Sequence, residues 1–129
     1  MSWTYKQSTG EMTDPGGSSA GIGYAGGNIP PHFDPAAKNN PDRQFESCFG
    51  PLPRGVYLIG PAHTEPTLGP VAMRLSPHVS NIMNGRAGFF MHADSIAHPG
   101  QASEGCIVLP NSVRAQIAAS MDRNLTVVA

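Results

Sequence analysis

Gly88-Phe-Phe-Met-His92-Ala-Asp94, and then Ser103-Glu-Gly-Cys106-Ile-Val-Leu109, decide how this chain is read. The first stretch belongs to Arg86-Ala-Gly-Phe-Phe-Met-His92, which is rich in aromatic and apolar residues and reads as a strand. A period of two puts Phe90 and His92 on one face and Phe89 and Met91 on the other. The second stretch sets Cys106 behind a glycine and in front of another short apolar run, a strand or strand start through Leu109. A histidine at a strand end and a cysteine fourteen positions later make a candidate base and a candidate nucleophile. The polar loop between them can turn the chain so that both side chains converge on one cleft. An imidazole within reach takes the thiol proton. Gly105 permits a tight backbone approach, and free N–H groups around Gly105 and Cys106 can hold an oxyanion.

The rest of the chain supplies short strands and long loops. It has 129 residues, enough for one core, with 15 glycines, 13 prolines and 40% hydrophobic residues. That composition argues against disorder and for a mainly β domain with little helix. Strands are expected at Trp3-Thr-Tyr-Lys-Gln-Ser8, leading into a hairpin at Thr9-Gly10, at Gly21-Ile-Gly-Tyr-Ala25, Gly55-Val-Tyr-Leu-Ile-Gly60, Val71-Ala-Met-Arg-Leu75 and Leu125-Thr-Val-Val128. Val79-Ser-Asn-Ile-Met-Asn84 has no clear period. Asn111 or Ser112 is expected to cap one helix running to about Met121, with Val113, Ile117 and Met121 as its apolar stripe and Arg114 off it. Residues 26–53 form the longest loop, and a loop of that length in a small domain is usually functional or mobile.

Charge and hydropathy exclude other classes. The net charge is −1 and the basic residues are scattered, so no nucleic-acid surface is expected. No apolar run approaches a membrane span, and the N-terminal residues lack the apolar run of a secretory signal. The expectation is synthesis in the cytoplasm, with any export by a route that needs no such signal. Cys48 and Cys106 allow one disulfide, which the sequence leaves open.

Ser103-Glu-Gly-Cys106-Ile-Val-Leu109 resembles the S-x-G-C-[IV]-R-[LM] signature of YkuD-type L,D-transpeptidases, and Phe90-Met-His92-Ala-Asp94 resembles that family's upstream H-G segment. Trp3 with Ser8-Thr-Gly10, Gly23-Tyr-Ala-Gly-Gly27, Lys38-Asn-Asn-Pro41, Gly50-Pro-Leu-Pro-Arg-Gly-Val-Tyr-Leu-Ile59 and Gly85-Arg-Ala-Gly-Phe89 follow in order. Together they resemble the short L,D-transpeptidase effectors of type VI secretion, over nearly the whole chain. The resemblance implies that residues 1–129 are one catalytic domain with a YkuD-like, β-sandwich-like fold and one C-terminal helix. It implies cysteine-dependent transpeptidation or carboxypeptidation of peptidoglycan stem tetrapeptides through a thioester, without a cofactor. A cognate immunity protein, a secretion carrier and action in the periplasm of a target bacterium are implied with it.

Residue by residue, Cys106 matches the nucleophile and His92 the base, with Ser103 and Gly105 in the loop before the nucleophile. Asp94 is a candidate to orient His92, in competition with a backbone carbonyl. Three positions depart from the pattern. Val108 stands where the family carries arginine, Ala93 follows the histidine in place of glycine, and Glu104 puts a negative charge beside the nucleophile. Because stem peptides carry carboxylates, Tyr24, Asn40 and Arg86 are candidate substrate-binding residues. Arg86 is expected to stand in for the missing arginine and to matter for turnover more than for stability. Two further functional classes are open. His92, Asp94 and His98 can be read as a zinc-peptidase donor set, and the same sheet can be read as a non-catalytic wall-binding module.

Overall fold

Alternating side chains build the sheet in the computed structural model, which describes residues 1–129. In β1 (Trp3–Lys6), Trp3 and Tyr5 point into the core while Thr4 and Lys6 point out. β10 (Asn124–Val128) lies parallel to it, pairing Trp3 with Leu125 and Tyr5 with Val127. β5 (Gly55–Ile59) adds Tyr57 opposite Leu125, so Trp3, Leu125 and Tyr57 form one apolar row across three strands. A second row, Met73–Met91–Ile107, crosses β7 (Gly69–Pro77), β8 (Phe89–His92) and β9 (Ile107–Val108). These rows meet in a core of 17 buried residues. Fully burying each large apolar side chain contributes on the order of 1.5–3 kcal/mol.

The chain is mainly β, with one sheet that nearly closes on itself. Its strand order is β3-β2-β1-β10-β5-β7-β8-β9-β4, where β2 is Glu11–Thr13, β3 Ser19–Ile22 and β4 Tyr24–Ala25, and β6 (His63–Glu65) pairs with β7 alongside. The two ends of that path, β3 and β4, are one stretch of chain interrupted at Gly23. The Gly23 N–H donates to the Gly10 carbonyl at 2.8 Å, and a Cβ on Gly23 would collide with the Val108 carbonyl oxygen. Glycine there lets β3 turn into β4 and brings the last strand round to β9. The strands therefore form a single curled sheet.

The helix is α1 (Asn111–Ala119). Val113 and Ile117 enter the core as the stripe predicts, but two details differ. Neither Asn111 nor Ser112 caps it: Pro110 holds the cap position, and its carbonyl accepts from the Val113 and Arg114 N–H groups at 3.1 Å each. Met121 is 98% exposed, because Ser120 turns to extended backbone and starts the approach to β10. Arg114, placed off the stripe by periodicity, is buried and donates to the carbonyls of Leu109, Pro70 and Val71.

The long loop of residues 26–53 is tied down along its length. Gln7 donates to the Leu52 carbonyl at 2.8 Å and to Gln44 at 3.2 Å. Arg43 pairs with Asp34 at 2.8 Å and with Glu46 at 2.6 Å. Asn40 caps a 3-10 turn at Pro41–Arg43. Ala37, Gln44 and Leu52 are buried, so this segment packs like part of the core shell. No helix is long and apolar enough to cross a membrane.

Candidate active site

Ser103 shapes the backbone that carries Cys106. Its hydroxyl accepts from the Gly26 N–H at 2.8 Å and the Gly105 N–H at 3.1 Å, and donates to the Cys106 carbonyl at 2.5 Å. Its own carbonyl accepts from Asn28 N–H at 2.8 Å. Gly105 follows with φ +139°, and a Cβ added there would run into the Phe89 ring at 2.7 Å and the Arg86 guanidinium at 2.5 Å. Only glycine meets both the torsion and the space. The turn delivers Cys106 to the start of β9 with its sulfur over the edge of β8, where Phe90 N–H donates to Sγ at 3.3 Å. One of the two expected oxyanion donors is lost in the process, because the Gly105 N–H is spent on Ser103. The Cys106 N–H, which bears on its own sulfur, is the donor that remains.

His92 ends β8 on the same face as Phe90. The parallel register pairs His92 with Val108 and Met91 with Ile107; one step back along it, Phe90 lies opposite Cys106. His92 and Cys106 are thus diagonal neighbours across two strands. His92 Nδ1 donates to the Ala93 carbonyl at 2.7 Å. A carbonyl only accepts, so Nδ1 carries the proton in the neutral ring and Nε2 presents its lone pair. Nε2 has no partner in the chain, and the only fully buried side-chain polar atom left unpaired is Tyr5 Oη. Nε2 therefore opens into the groove that Cys106 also lines. No hydrogen bond joins Sγ and Nε2. Such contacts commonly tighten only when substrate is bound.

Electrostatics set the resting protonation state. Burial pushes the Cys106 thiol above its ordinary value, opposed by the Phe90 N–H, assisted by the charge of Glu104 and opposed by that of Arg86. Burial also holds His92 below the usual imidazole value, against the pull of the Ala93 carbonyl, with the Arg114 charge adding to the depression. Thiol and imidazole are both neutral at rest, which suits a general-base mode more than a preformed thiolate–imidazolium pair.

The groove measures ≈ 1290 Å³, larger than a small-molecule pocket and of a size to take an extended peptide. Cys106, His92, Arg86 and Glu104 lie in its lining with Ile29, Pro30, Ser47 and Cys48 from the long loop, Thr67 to Pro70 from the β6–β7 turn and the start of β7, and the loop from Ala93 to His98. Cys48 is exposed, and both cysteines are free thiols.

Several expected roles are redistributed. Asp94 does not orient His92. Its carboxylate accepts from Tyr24 O–H at 2.6 Å, Ser95 N–H at 2.8 Å and Gly100 N–H at 3.1 Å, and so folds the loop after β8. Tyr24 lies outside the groove, holding Asp94 and accepting from Ala102 N–H at 3.0 Å. Asn40 is occupied with its 3-10 turn, bonded to Asp42 N–H and the Ala36 carbonyl. Arg86 reaches the groove, but it is 9% exposed and its guanidinium donates to the carbonyls of Gln44, Pro51, Gly50 and Glu104 at 2.6–3.0 Å. It clamps the long loop to the loop that carries Cys106 and has no free fork for a carboxylate ligand. His98 sits on the groove wall with no partner to fix its ring, unlike His92. The zinc reading lacks its geometry: no three His, Cys, Asp or Glu side chains converge where a metal ion could be held.

The sequence reading overlooked Arg114 and the Phe90 N–H. A buried arginine satisfied by three carbonyls leaves no trace in periodicity, whereas a strand amide facing the nucleophile follows once Phe90 and Cys106 are put in register. Comparison of the chain with family models, with curated proteins and with solved structures returned no match.

Proposed function

We propose that this chain is a cysteine-dependent acyltransferase of the YkuD L,D-transpeptidase type, acting on peptidoglycan stem tetrapeptides as an L,D-transpeptidase and L,D-carboxypeptidase. One observation carries the reading. A thiol and a histidine with a fixed tautomer face one open groove from neighbouring strands. A wall-binding module leaves that arrangement without a task. The stem-peptide substrate comes from the resemblance of Ser103-Glu-Gly-Cys106 and its companion segments.

The proposed chemistry uses these groups. His92 Nε2 takes the Cys106 thiol proton as Sγ attacks the carbonyl at the L-centre of the diamino acid. The oxyanion forms against the Cys106 N–H. The intermediate then expels D-alanine, whose amine takes the proton from His92, leaving a thioester on Cys106. Water resolves it to a tripeptide, and an amine acceptor resolves it to an exchanged or cross-linked product. No cofactor enters. We further propose that the protein is an antibacterial type VI effector that acts in the target periplasm, restrained at home by an immunity protein and delivered by a secretion carrier.

Muropeptides incubated with the protein should lose D-alanine from tetrapeptides, and an added D-amino acid should appear in the exchanged product by mass spectrometry. Muropeptides unchanged under both conditions would reject the reading. The acid limb of kcat/KM should fall below the ordinary imidazole pKa of 6.5. Neutral His92 is the active form, and burial depresses its pKa, so activity persists to lower pH and fades as the ring protonates. His92→Ala should cost on the order of 10²–10⁴-fold in turnover and remove that limb, while His98→Ala leaves both unchanged. An acid limb above 6.5, or the reverse ranking of the two variants, would assign the base elsewhere.

A further inference from the structure

Glu104 is the acidic residue nearest the nucleophile, and nothing in the chain neutralises it. It is exposed, it lines the groove, and its carboxylate makes no hydrogen bond or ion pair. Its backbone carbonyl is the part that Arg86 holds, at 2.9 Å. Arg86 is the only lysine or arginine in the groove lining, and four carbonyls already occupy its two terminal nitrogens. The other groove carboxylate, Asp94, is consumed by Tyr24 and two backbone N–H groups. The charged side chain beside Cys106 that is still free to pair with a ligand is therefore an acid. That charge opposes formation of the thiolate in the empty site, a cost to the resting enzyme that a cation brought by the substrate would reverse.

We propose that Glu104 is a specificity-determining residue: its carboxylate receives the free ammonium at the end of the side chain of the residue whose carbonyl is attacked, so that the groove selects stem peptides whose diamino acid has an uncapped side-chain amine. This rests on the reading of Cys106 as an acyl-transfer nucleophile. Stems whose side-chain amine is already acylated, as in a cross-link, lose the ammonium and with it the contact. The enzyme then acts on stems before that amine is used. The bound ammonium also offsets the charge of Glu104 as the sulfur ionises, so that the correct substrate helps to activate its own nucleophile.

The test uses the full chain, wild type and Glu104→Gln, with two synthetic tetrapeptide stems that differ only in acetylation of the side-chain amine. Protection of Cys106 from iodoacetamide, read by mass on the Cys106 peptide, measures occupancy of the site by bound or acylating stem and does not require product release. The free-amine stem should protect wild-type Cys106 at a roughly tenfold lower concentration than the acetylated stem, as expected for one charge-assisted contact. In Glu104→Gln the difference should vanish, with only the free-amine stem weakened, and alkylation without peptide should be faster than in wild type. Where turnover is seen, KM should follow the same pattern. Equal protection by both stems in wild type, or an equal loss for both in the variant, overturns the proposal. Discrimination between the stems without turnover of either would leave the amine site standing and remove the acyl-transfer reading.

Discussion

Cys106→Ala is expected to abolish acyl transfer, with a loss greater than about 10⁴-fold in kcat, while the fold survives. The sulfur is the acyl acceptor on the strand beside His92, so its removal leaves the oriented imidazole with no thiol to deprotonate. The structural cost is small. Cys106 is packed at the margin of the core cluster and is not one of its buried members, and its strongest polar contact is one Phe90 N–H at 3.3 Å. Thermal unfolding and far-UV dichroism should match wild type. A Cys106→Ala protein that still trims tetrapeptides to tripeptides would end the mechanism.

Arg86→Ala is expected to destabilise the chain by about 3–5 kcal/mol, a large share of the ~5–15 kcal/mol that holds a domain together. Four carbonyls depend on that one guanidinium, three from residues 44–51 and one from Glu104. Alanine would leave buried oxygens unpaired and detach the long loop from the nucleophile turn. Lysine retains the charge without the planar fork, so Arg86→Lys should fall between the two. Chemical denaturation measures both. A change under about 0.5 kcal/mol in Arg86→Ala would return the residue to the substrate-binding role expected from sequence.

That contrast shows where the sequence was legible. The alternation in Phe89-Phe-Met-His92 follows from local sterics and burial, and it places His92 correctly without any knowledge of the partner strands. The stripe Val113–Ile117 is equally local. The very short strands β2 and β6, of three residues each, are too brief to show a period and exist because neighbouring strands pair with them. The roles of Arg86, Asp94 and Arg114 were not legible, for a different reason. Each is a polar side chain whose partners lie 18 to 70 residues away or on loop carbonyls, and only chain closure decides whether such a group meets solvent, substrate or its own backbone. Ser103 and Gly105 were legible as a turn before the cysteine. That the turn spends the Gly105 N–H on Ser103, and so removes an oxyanion donor, was not.

The most direct test is the intact mass of the protein after brief exposure to a stem tetrapeptide and acid quench. The account predicts a covalent adduct equal to the tripeptide acyl group, mapped by digestion to Cys106, lost on treatment with hydroxylamine and absent from Cys106→Ala. Tetrapeptide cleaved to tripeptide with no adduct on Cys106 under any quench time, and with cleavage undiminished in Cys106→Ala, would contradict it.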